Sequence, residues 1–65
     1  MRKNYKIQNI ETGLYLNRGS NKSWTTKGTI WQSYPSDAVE YCVDRKIPIK
    51  VISFELKEID YKIIN

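Results

Sequence analysis

At 65 residues the chain is sized for a single domain spanning 1–65, whose core is a handful of side chains, since so short a chain buries only about 60% of the surface it exposes when unfolded. It has no histidine and one cysteine, Cys42, which takes away the commonest zinc ligand, the commonest neutral-pH acid/base and any internal disulfide. The net charge of +4 is lopsided: residues 1–34 carry Arg2, Lys3, Lys6, Arg18, Lys22 and Lys27 against Glu11 alone, whereas residues 35–65 hold five bases and six acids.

Tyr5-Lys6-Ile7-Gln8-Asn9-Ile10 alternates apolar and polar residues, the period of a half-buried strand. Glu11-Thr12-Gly13 then leads into Leu14-Tyr15-Leu16. Three connecting residues ending in glycine predict a hairpin with Gly13 at positive φ in a bulge. Arg18 to Lys22 is a polar loop, and Trp24 opens a second β-like stretch that breaks at Thr26-Lys27-Gly28 and resumes at Thr29-Ile30-Trp31. Gly28 reads as another turn or bulge.

A helix start follows at Ser33-Tyr34-Pro35-Ser36-Asp37, with Ser36 as N-cap and Asp37 at the positive end of the dipole; Ser33 is the alternative cap. Ala38 and Cys42, then Val39, Val43 and Ile47, recur at four-residue spacing and make one apolar stripe. Trp31 is expected to pack under Val39 and Val43. Lys46 suits the negative end of the helix, and Pro48 stops it.

From Ile49 the period returns to two. Ile52, Phe54 and Leu56 share one face, and Ile59, Tyr61 and Ile63 share one of opposite parity. A bulge at Lys57-Glu58 in one bent strand accounts for the switch, and a tight turn making a second hairpin is the alternative. The expected fold is therefore α+β, a small antiparallel sheet packed against one short helix in the order β-β-(β)-α-β. The edges of so small a sheet invite a partner strand or a second copy, as a homodimer or higher oligomer.

Catalysis finds little support in this inventory. Cys42 lies on the apolar stripe with no histidine to activate it, and reads as a small hydrophobe. Glu55, Glu58 and Asp60 are interrupted by Lys57 and read as a solvated sheet face. Gly13, Gly19 and Gly28 are too far apart for a phosphate-cradling loop. The chain is read as a non-enzyme without metal or cofactor. It has no apolar run long enough for a membrane span or a signal peptide, and a lone buried thiol suits a reducing cytoplasm.

Binding is the better-supported class. Arg18, Lys22, Trp24, Lys27 and Tyr34 combine exposure with the residue types that dominate protein–protein hot spots. The same aromatic and basic residues also suit a nucleic acid or nucleotide, with bases stacked and phosphates met by lysine. Trp24 and Trp31 each read either as core or as contact surface.

The pattern Tyr5-x-Ile7, Thr12-Gly13-Leu14-Tyr15, Trp24-x-x-Lys27-Gly28-x-x-Trp31 resembles that of small uncharacterised proteins of tailed bacteriophages, over residues 5 to about 33. The resemblance implies a small cytoplasmic protein made during infection, acting by stoichiometric binding to a host protein such as a bacterial defence factor.

Overall fold

The computed structural model describes residues 3–19 and 22–55. Their elements, in chain order, are β1 (Lys3–Asn9), β2 (Tyr15–Leu16), β3 (Trp24–Thr25), α1 (Ser36–Asp44) and β4 (Ile49–Glu55). The strands form one antiparallel sheet in the order β3-β2-β1-β4 with one short helix, an α+β fold. The expected switch at Lys57-Glu58 lies outside the described residues.

The first strand is central. It pairs with β4 without a break, from Lys3↔Glu55 to Asn9↔Ile49. This register sets Ile7 opposite Val51 and Asn9 opposite Ile49, and Ile7, Val51 and Ile49 join the helix residues Ala38 and Cys42 in the core. Ile52 and Phe54 alternate onto the other face, opposite Lys6 and Asn4. β4 is therefore apolar on both faces, which is why its period is less clean than that of β1.

Asn9 organises the first hairpin. Its side-chain Oδ1 accepts from the amides of Glu11 (2.9 Å) and Thr12 (3.3 Å), while its carbonyl accepts from Gly13 at 2.8 Å. Gly13 has φ 78°, as the glycine position predicts. The connection runs from Ile10 to Leu14, two residues longer than expected, because Asn9 closes the strand with its own side chain.

The stretch from Trp24 to Trp31 is less regular than its composition suggests. Only Trp24 and Thr25 pair as a strand, with Leu16 and Tyr15. Gly28 turns the chain at φ 67°, its amide held by Thr25 Oγ1 at 2.9 Å. The expected strand at Thr29–Trp31 is a single bridge: Trp31 and Tyr5 exchange backbone bonds of 2.8 and 2.9 Å. Tyr5 is thus paired on both sides, by Ser53 of β4 and by Trp31.

The helix differs from expectation at both ends. Pro35, not Ser36 or Ser33, occupies the N-cap, and no side chain caps the first turn. Ser36 is already helical, its amide bonded to the Tyr34 carbonyl at 2.9 Å. At the other end Arg45 is the C-cap, and Lys46 lies beyond it at φ 57°. The Lys46 amide bonds to Val43 O and the Ile47 amide to Cys42 O, both at 3.0 Å, the paired bonds of a Schellman ending.

Around the helix, Ala38 and Cys42 are buried with Val39, Tyr41 and Ile47 packed beside them. Val43, expected on the stripe, is 61% exposed. It follows Cys42 by one position, about 100° round the axis, which carries it off the sheet side. Tyr41, on the other flank, packs against the core instead. Trp31 and Val39 both pack against the buried cluster, whereas Val43 is left out of it.

Candidate functional site

The sheet bridge at Tyr5 fixes one wall of a cleft. Trp31 is locked to Tyr5 by two backbone bonds, and Tyr34 stands edge-on to the Tyr5 ring at 5.7 Å and 83°. Edge-to-face geometry aligns the positive rim of one ring with the negative face of the other. After β2, the residues Arg18, Gly19 and Lys22 also line it. Arg18 is fixed where its amide donates to Thr29 Oγ1 at 2.7 Å. The cleft has a volume of about 440 Å³ and is lined by Arg18, Lys22, Trp31, Tyr34 and the first helical turn, with Asp37 as its acidic member.

The cations here are held by rings. The Arg18 guanidinium carbon lies 5.9 Å from the Trp31 ring centroid, and Lys22 Nζ lies 4.9 Å from that of Tyr41. Arg45 packs on the same Tyr41 ring at 3.8 Å, with a long Nη1 bond of 3.4 Å to the Tyr41 carbonyl. On the far side of the sheet Lys6 Nζ sits 4.8 Å from the Tyr15 ring. Each such contact contributes about 0.5–1 kcal/mol where exposed. Among the described residues no Lys or Arg forms an ion pair with a carboxylate. These charges are oriented without being neutralised.

Of the five residues singled out in the sequence, Arg18, Lys22 and Tyr34 meet at this cleft. Trp24 is half-buried in β3 and packs against the core, and Lys27 is exposed in the turn before Gly28; neither lines the cleft. Trp31 serves both roles, packing on the core with one part and lining the cleft with another. Tyr41 and Arg45 went unrecognised as members of this region. Their four-residue spacing on the helix was a legible signal, whereas nothing local connects Lys22 to Tyr41.

Cys42 is fully buried beside Tyr41. Burial pushes its thiol up from the ordinary value, and the positive charges of Arg45 and then Lys22 partly oppose that. No group of three metal-ligating side chains occurs among the described residues, and no helix of theirs is long and apolar enough to cross a membrane. Comparison with protein-family models, curated proteins and solved structures gave no match, so the roles of these residues rest on geometry.

Proposed function

We propose that this chain is a small phage-type accessory protein that works in the host cytoplasm by binding a host protein stoichiometrically and modulating or inhibiting it, a bacterial defence factor being one such target. The observation that carries the reading is the cleft where Arg18, Lys22, Trp31 and Tyr34 converge with their cations uncompensated. Trp, Tyr and Arg are the side chains that anchor protein interfaces, and Tyr34 is 54% exposed at its mouth.

A nucleic acid or nucleotide is the competing reading, motivated by the basic excess of the N-terminal half. The rings weigh against it. Sequence-tolerant nucleic-acid binding needs open aromatic faces for bases, and the rings of Trp31, Tyr41 and Tyr15 each carry a cation of this chain.

Affinity capture from a bacterial host lysate tests the proposal. One host protein should be retained in a fixed ratio by the wild type and lost by the doubly substituted Arg18→Glu, Lys22→Glu chain, with unchanged circular dichroism. Retention of nothing, or equal retention by both, overturns it. Salt-sensitive binding of single-stranded oligonucleotides in place of a protein would favour the competitor.

A further inference from the structure

The two cations of the cleft are each tied to a residue that lines it. The Arg18 guanidinium rests on the Trp31 ring at 5.9 Å, and Lys22 Nζ donates a long bond of 3.5 Å to the carbonyl of Gly19, the residue next to Arg18. Trp31 and Gly19 both belong to the cleft lining. A guanidinium facing a ring keeps its in-plane N–H donors for an oxyanion. Ser33 and Ser36 line the same cavity. Among the described residues neither cation meets a carboxylate, and neither serine hydroxyl has a hydrogen-bond partner. Four donor groups thus share one cavity without being used up by the chain itself.

We infer that this cleft is a binding site for a phosphate monoester, with Arg18 and Lys22 as the groups that hold the phosphate. A phosphorylated side chain of a partner and a free small phosphate ester bring the same group, so the inference goes beyond the protein-binding reading. Charge and acceptor count select this ligand. A carboxylate offers one charge and a pair of oxygens. A phosphate monoester offers about two charges at neutral pH and three acceptor oxygens, which suits paired cations accompanied by hydroxyls. The volume of about 440 Å³ lies toward the small end for ligand pockets, roughly 300–1,000 Å³, and fits a small ester rather than a polymer. Arg18 already occupies a face of the Trp31 ring, so recognition falls on the phosphate and not on a stacked base. Asp37 opposes the ligand's charge and limits its affinity.

Titration of the full chain with ethyl phosphate at low salt, followed by amide NMR shifts, tests the site. The amides of Arg18, Lys22, Ser33 and Ser36 should shift saturably, and propionate should bind more weakly than ethyl phosphate. Arg18→Gln and Lys22→Gln should each weaken binding about five- to ten-fold, in line with the loss of one partly solvated charge-assisted hydrogen bond. Asp37→Asn should tighten it about two- to five-fold by removing a like charge. Lys27→Gln, which removes an exposed cation outside the cleft, should bind like the wild type. Absence of a saturable shift overturns the inference. So does equal affinity for propionate and ethyl phosphate, or equal weakening by Lys27→Gln and Arg18→Gln. With the site established, tighter binding of a Gly-Gly-phosphoserine-Gly-Gly peptide than of ethyl phosphate assigns the group to a protein partner, and equal or weaker binding assigns it to a small ester. A host protein captured through Arg18 and Lys22, with neither phosphate compound bound, sinks the site and leaves the proposed function standing. Phosphate binding with no host protein captured does the reverse.

Discussion

Gly28 lies against Tyr15 so closely that a methyl group on Gly28 would overlap the Tyr15 Cβ and stand 3.1 Å from its carbonyl carbon and 3.2 Å from Leu16 O. The turn that brings the chain back from β3 toward β1 thus passes directly over the backbone of β2. The contact is backbone against backbone, with no flexible side chain to move aside. Trp31, one wall of the cleft, reaches Tyr5 because this turn is tight.

Gly28→Ala should therefore cost more than Gly13→Ala. Both glycines have positive φ, at 67° and 78°, so each substitution carries an αL penalty of about 1–2 kcal/mol. Only Gly28 adds steric overlap, of about 1–3 kcal/mol, since a Cβ on Gly13 meets nothing within 4 Å. Urea unfolding of both variants should show Gly28→Ala the less stable; equal losses would contradict the close approach.

At the end of the helix the reverse change should help. Lys46 holds φ 57°, a conformation that favours glycine, while its amide caps Val43. Lys46→Gly should raise stability by about 0.5–1 kcal/mol by removing that strain. A shift of the denaturation midpoint to higher urea is the expected readout.

Asn9→Ala removes the acceptor used by two loop amides, Glu11 and Thr12. Exposed loop bonds of this kind contribute about 0.5–1.5 kcal/mol each at most, and Asn9→Asp should retain them. The pair of variants, compared by thermal unfolding, separates the hydrogen bonds from strand propensity.

Cys42 predicts a pH effect. Its folded thiol titrates above the ordinary value near about 8.5, because burial disfavours the thiolate. As pH rises past that ordinary value the unfolded chain releases the proton first, so the folded state binds more protons and loses stability. The contribution is intact below that pH and disappears as pH climbs through the raised folded value. Subtracting the profile of Cys42→Ala from that of the wild type isolates it, and an Ellman reagent should react slowly with the native chain.

Much of the backbone was legible because its signals are local. Alternation over Tyr5–Asn9 marks β1 and Gly13 marks a bend at positive φ, each through the geometry of a few neighbouring residues, whereas the helix ends at Asp44, with Lys46 left-handed beyond its cap, ahead of the expected stop at Pro48. The helix cap was not, since Ser36 had the right chemistry but Pro35 held the position. Val43 misled for a related reason: four-residue spacing traces a stripe slightly wider than the face this sheet covers. Among the residues at and beside the cleft, Arg18, Lys22 and Tyr34 were singled out by composition, whereas Arg45 and Tyr41 were not, although their four-residue spacing pairs them on the helix.

Residue order alone determined that an antiparallel hairpin precedes a short helix, that the thiol lies on its inner side and that positive charge gathers in the first half, because dihedral preferences and periodicity act over a few residues. Only the tertiary structure decided that Trp31 pairs with Tyr5, that Lys22 reaches Tyr41, and that rings rather than carboxylates hold the cations. Those contacts join segments distant in the chain, and their geometry follows from strand register and from the turn at Gly28, which no local pattern specifies.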